Sequence, residues 1–254
     1  MSARRGLAAL AALLLLAASV AASVAFAAPD AKPRPKPRLT VFAAASLTNV
    51  LPRIDKRERY SFGGSNALAA QIQQGLPADV FASANTSLPG RLYAQGLVTK
   101  PVDFTSNKLV IVVAKGNPRK IRNPYDLERS GLRIVIAATG VPVGDYTRTV
   151  LGNLGLSDLV GKAVAQETDV REVLTQVTLG EADAGFVYLT DARAFEGQVG
   201  VIGIPKKAQP RVVYAAAAVK ASKHLKEAKA WIRQLDSRRA QQKLRAAGFL
   251  APPR

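Results

Sequence analysis

The sequence contains no cysteine. That excludes a disulfide framework, a thiolate metal site, a cysteine nucleophile and a lipid-modified cysteine at once. Histidine is nearly missing too. His224, within the basic stretch VKASKHLKEAKAW, is the only one; it leaves no histidine-based metal site and reads as a solvated surface side chain. Neither a Gly-x-Ser-x-Gly elbow nor a phosphate-binding loop is present. Acids are scarce, 18 against 36 lysines and arginines, and Asp145, Glu167, Asp169, Asp183 and Asp191 show no spacing that favours an acid/base pair over caps and surface charges. No catalytic residue is therefore expected.

What the sequence does have begins with an export signal over residues 1–28. Arg4 and Arg5 form a basic start, an Ala/Leu stretch follows from Gly6, and Ala25-Phe26-Ala27 offers a small-x-small cleavage site. The apolar run approaches the ~20 residues that span a bilayer, so an uncleaved anchor is the competing reading. The alanines and serines of its second half favour cleavage and an extracytoplasmic, periplasmic location. Residues 29–38, PDAKPRPKPR, alternate proline with cations and read as an extended linker. The net charge of +18 falls to +16 when Arg4 and Arg5 leave with the signal. The cations are scattered over 115–122, 206–211, 220–229 and 233–245, which suits a solvated basic surface rather than a nucleic-acid site. Attraction to anionic ligands or envelope polymers is the second reading.

From residue 39 onward, short apolar runs alternate with helix-period segments. Strands are predicted at 39–44, 59–62, 78–82, 108–114, 132–138, 184–188, 199–204 and 211–219. Between them Leu68 and Ile72 share a helical face, as do Tyr146, Val150 and Leu154, then Val170, Val173, Leu174 and Val177. Leu225, Ala228, Ile232 and Leu235 do so near the end. The alternation predicts an α/β fold with largely parallel sheets flanked by helices. Ligands of such sheets bind beyond the carboxyl ends of strands, where helices begin.

Five segments have that character. VFAAAS ends a strand on three alanines, with Ser46 placed to cap the next helix and room for close approach to the backbone. Pro52 interrupts that helix, so 47–54 is expected to be short and irregular. FGGSNALAAQIQQG sets Ser65 before an amphipathic helix. ATGVPVGDYTRTVL begins a helix near Asp145, QETDVREVLTQV begins one around Thr168-Asp169, and DAGFVYLTDA ends a strand at Tyr188. Each alone is equally well read as a cap, a turn or a core aromatic.

Together, FAAASLTNVLPRI, GGSNALAAQIQQGLPADVFASA, VPVGDYTRTVL and ETDVREVLTQVTLGEADAGFVY resemble the molybdate-binding periplasmic proteins of ABC transporters, in the right order and over nearly the whole chain from residue 39. The resemblance implies a two-lobed periplasmic-binding-protein fold closing over one tetrahedral oxyanion. Lobe one would comprise 39–107 and 212–254 and lobe two 108–211, with two crossings as a hinge. It implies ligand contacts from Ser46, Ser65, Val143, Val170 and Tyr188, as contacts to the oxygens of molybdate or tungstate and not as direct metal ligands. It implies no cofactor and a monomer that reaches the membrane only through a permease with its ATPase subunit. Serine and tyrosine bring hydroxyl donors, whereas Val143 and Val170 can bring only main-chain N–H groups.

The sequence also departs from the family pattern. Gly64 stands where another hydroxyl is often found, Val143 is bulkier than the usual alanine, and Asp145 puts a carboxylate near the expected anion. Asp145 is expected to cap its helix and point away. The stretch from Ser46 to Ser65 is shorter than usual. A sulfate-binding protein, a hydrolase or dehydratase using cleft carboxylates, and a basic envelope-adhesion protein are the rival readings.

Overall fold

The computed structural model describes residues 36–252; the signal and most of the linker lie outside them. The strands are β1 (Thr40–Ala44), β2 (Arg59–Gly63), β3 (Val80–Ser83), β4 (Val102–Asn107), β5 (Leu109–Ala114), β6 (Ile134–Ala137), β7 (Ala165–Glu167), β8 (Ala184–Tyr188), β9 (Val199–Gly203) and β10 (Val212–Ala218). The helices are α1 (Leu51–Ile54), α2 (Ser65–Gln73), α3 (Ser87–Ala94), α4 (Pro142–Leu154), α5 (Leu159–Lys162), α6 (Val170–Thr178), α7 (Leu189–Ala194), α8 (Leu225–Leu235) and α9 (Arg238–Ala246).

Two five-stranded sheets carry the fold, ordered β2-β1-β3-β10-β4 and β7-β6-β8-β5-β9. They share one plan. Each has a parallel trio, β2-β1-β3 in one and β7-β6-β8 in the other. Beside it runs one reversed strand, β10 or β5, antiparallel to both neighbours. The sheets are thus mixed, a correction to the largely parallel ones expected. The trios are joined through helices, which return the chain to the same end. β5 instead follows β4 of the other sheet after Lys108 alone, and β10 follows β9 across 204–211, so both enter their sheets running backwards.

The amphipathic faces pack as the periodicity predicts. α2 buries Leu68 and Ile72, α6 buries Val170, Val173, Leu174 and Val177, and α8 buries Ala228, Ile232 and Leu235. β4 and β7 were not predicted. β4 reads VDFTSN and buries Phe104, Thr105 and Asn107, so its polar content hides it. β7 has three residues on a sheet edge and none is buried. Pro52 sits in the first turn of α1, where its missing N–H costs no hydrogen bond. The preceding 3₁₀ turn spans Ala45–Leu47 and contains Ser46. The stretch is short and irregular as expected, but Ser46 caps nothing.

Gly144 is required by space. Gly144, in the first turn of α4, has φ in no special region, yet a Cβ there would overlap the carbonyl oxygens of Ala137 and Ala138 at the end of β6. α4 can start against β6 only because that side chain is absent. Gly144→Ala is expected to cost about 1–3 kcal/mol of stability, read as a lowered urea midpoint with unchanged slope.

Candidate functional site

The carboxyl ends of β1, β2, β6, β7 and β8 lead directly into the 3₁₀ turn at 45–47, α2, α4, α6 and α7. These starts converge on one small cavity. It is bordered by Ser46, Ser65, Val143, Val170 and Tyr188 together, so all five residues singled out from the sequence meet there. Ala44 and Ala45 border it as well, which gives the alanine run its purpose: no side chain stands between backbone and cavity. The space is tight, leaving about 10 Å³ for the centre of a water-sized sphere. A ligand as large as a sugar is excluded from it.

The two serines are poised alike. Ser65 Oγ accepts a hydrogen bond from the Ala84 amide at 3.1 Å. Ser46 Oγ lies 2.8 Å from Tyr214 Oη. Behind Tyr214, Asn107 is oriented by the Lys108 amide donating to its Oδ1 at 2.9 Å. Its Nδ2 therefore donates, to Thr190 Oγ1 at 2.9 Å and to Tyr214 Oη at 3.4 Å. The bond between Tyr214 and Ser46 can run in either direction. Ser65 thus receives a hydrogen bond from behind and keeps its own hydrogen for the cavity, while Ser46 is positioned by its bond with Tyr214. Neither acts as the helix cap its position suggested: α2 has no side-chain cap bond, and its N-cap is Gly64.

Tyr188 is 1% exposed and its hydroxyl has no partner. Leaving a buried O–H unpaired costs about 1–3 kcal/mol; a ligand oxygen would remove that cost. Burial pushes the phenols of Tyr188 and Tyr214 well above the usual range, so both stay protonated donors. Their rings meet edge to face at 5.8 Å, which fixes the two hydroxyls relative to each other.

Main-chain donors complete the set. Val143 follows Pro142 in the first turn of α4, and Val170 is the first residue of α6. Their amides have no intrahelical acceptor, because the first four N–H groups of any helix lack one. The partial positive charge of the helix ends adds to them. Asp169, the N-cap of α6, uses Oδ1 to accept from the amides of Arg171 and Glu172. That leaves the Val170 amide unspent. Asp145 is exposed and its Oδ1 accepts from the Gly140 amide at 2.8 Å. It points away as expected, but by pinning the turn before α4 and not by capping, since Val141 holds the N-cap place.

The other acids and His224 also have structural places. Asp183 accepts from the Arg133 amide and pairs with Arg119 and Arg133; despite burial these hold its carboxyl below the usual range. His224 is the N-cap residue of α8 and borders no part of the cavity. Tyr214 and Asn107 were not anticipated. The signal for Tyr214 was one large polar ring in the otherwise small-residue strand VVYAAAA; Asn107 gave none.

A groove of about 750 Å³ passes on the other side of Ser46 and holds Arg53, Arg171 and Arg193. Arg171 is committed. Its Nε lies 2.8 Å from Oδ1 of the fully buried Asp191, off the line of a hydrogen bond, and its guanidinium sits 5.5 Å from the Phe195 ring. This pair ties α6 to α7 and so Val170 to Tyr188.

Residues 39–250 match the family described as bacterial extracellular solute-binding protein. The chain belongs to that family, alongside its molybdate-binding members. It is 35% identical over 224 residues to the molybdate-binding protein ModA of Mycobacterium tuberculosis, covering 84% of this chain and 85% of the relative. The periplasmic molybdate-binding protein of Azotobacter vinelandii superposes with a TM-score of 0.76 at 26% identity, over 85% of this chain and 100% of that one. An aconitate isomerase from a Pseudomonas species is 27% identical over 192 residues, 74% of this chain and 72% of that enzyme. The sequence is thus similar to proteins named for more than one activity.

Burial pushes the Asp191 carboxyl up to about 7, against the pull of Arg171. The folded protein therefore keeps a proton that the unfolded chain releases near pH 4. That stability is fully present below about pH 4 and is lost as pH rises through about 7. Urea unfolding between pH 4 and 8 should show wild type losing stability relative to Asp191→Asn as pH rises.

Proposed function

We propose that this chain is an extracytoplasmic binding protein that captures molybdate, and also tungstate, and delivers it to an ABC-transporter permease whose ATPase subunit hydrolyses ATP. The observation that carries the reading is the cavity's donor set. Ser46, Ser65 and Tyr188 supply hydroxyls, Val143 and Val170 supply amides, and no lysine or arginine borders the space. Fixed dipoles in a water-poor site hold a dianion without a counter-charge, which keeps the ion exchangeable. Phosphate at neutral pH would bring a proton that finds no acceptor in this set. Sulfate brings none, so cavity size must separate it from molybdate.

The protein acts as a monomer without a cofactor, its N-terminal signal carrying it out of the cytoplasm. Lys108 between β4 and β5 and the 204–211 segment between β9 and β10 serve as the hinge. The 35% identity to a molybdate-binding protein supports the ligand. A binding role without catalysis is supported by the acids: Asp169, the one carboxylate bordering the cavity, is spent on the α6 amides. The likeness to an aconitate isomerase makes the enzyme reading worth one assay: Asp169→Asn with Asp145→Asn abolishes turnover in an enzyme and leaves ion capture largely intact here.

Molybdate at a hundred times its Kd should stabilise the purified protein by about 2.7 kcal/mol, read as a raised melting temperature, with phosphate inert. Sulfate matching molybdate in titration calorimetry would refute the selectivity. Ser65→Ala removes a hydrogen bond to a charged ligand and should weaken binding by about 1.5–3 kcal/mol, roughly 10- to 150-fold. Tyr214→Phe should weaken it less, because Ser46 keeps its hydroxyl but loses the group that aims it.

A further inference from the structure

Gly64 has an ordinary backbone, φ −59 and ψ 129, which any residue adopts. Its lack of a side chain is therefore not a conformational demand. It is a demand of space. A Cβ built on Gly64 would overlap the main-chain carbonyl oxygen of Thr168 and stand 2.8 Å from Asn66 Oδ1. Thr168 follows β7 of the second sheet and immediately precedes the N-cap of α6, whereas Gly64 follows β2 of the first sheet and is the N-cap of α2. The two helix starts that offer Ser65 and Val170 to the cavity thus touch each other across the lobes at this one glycine. A few residues along, Arg171 Nη2 donates to Asn49 Oδ1 at 3.5 Å, a polar contact across the same seam. Arg171 is held for it by the Asp191 pair.

We propose that Gly64 sets how far the cleft closes. With no side chain there, the start of α6 seats directly on the start of α2, and the Val170 amide reaches an ion that Ser65 already holds. The hydroxyl expected at this position from the family pattern is exchanged for a closer approach of two main chains. A side chain at 64 props the lobes apart and enlarges the cage. This rests on the oxyanion reading and adds to it a residue that sets affinity and size discrimination without donating a hydrogen bond.

The test uses the full mature chain with Gly64→Ala. The overlap with the Thr168 carbonyl exists only when the lobes are together, and the Asn66 side-chain end can turn aside, so the ion-free variant should melt like wild type. Calorimetric affinity for molybdate should fall roughly tenfold or more. Small-angle scattering of the molybdate-saturated variant should give a larger radius of gyration than saturated wild type. Gly64→Ser should behave like Gly64→Ala, since bulk outweighs the restored donor. Unchanged affinity in Gly64→Ala, tighter binding in Gly64→Ser, or an ion-free variant that is itself unfolded would each overturn the inference. Wild type that binds none of molybdate, tungstate or sulfate would instead overturn the oxyanion reading, and this inference with it.

Discussion

Helix starts must spend their first N–H groups on something, and in this protein some of those of α4 and α6 are spent on a cavity. That constraint organises the molecule. Each parallel trio sends strand ends toward the cavity, and α2, α4 and α6 begin beside it. The serines and Tyr188 add hydroxyls, with Ser65 held from behind by the Ala84 amide and Ser46 by its bond with Tyr214. The result is a wall of hydrogens without a formal charge.

Among the described residues no cation borders the cavity, and the one carboxylate that does is engaged elsewhere. Arg171 is within the neighbouring groove and held beside Asp191; Asp169 is turned onto the α6 amides. Setting charges aside suits a site that must release what it binds. A lysine at the ion would deepen the well and be paid for at every delivery, whereas dipoles that belong to two separable lobes lose their grip when the lobes part. The packing of the tyrosine rings makes the same site rigid: Tyr146, Tyr188 and Tyr214 meet edge to face in a chain.

Much of the fold was legible from local pattern. β1, β2 and β8 lie where alternating or continuous apolar runs placed them, and α6 buries the four residues its period marked. Failures have local causes. β4 is half polar because Thr105 and Asn107 bond across the molecule, and β7 is too short to show a period. The mixed sheets escaped because strand direction is set by which sheet the preceding strand belongs to, and β4 and β5 are separated by a single residue.

The five residues that border the cavity could be named from sequence because each sits at or soon after a strand end, in a stretch that also matches a family pattern. Their orientation could not. Ser46 and Tyr214 are 168 positions apart, and the seam between Gly64 and Thr168 joins residues of different sheets. Sequence by itself determined which groups are available: hydroxyls, free amides, no cysteine and almost no histidine. Tertiary structure decided which way each hydrogen points, which carboxylates are spent as caps, and how closely two helix starts approach. Hydrogen-bond direction and contact distance depend on partners that only the folded chain brings together.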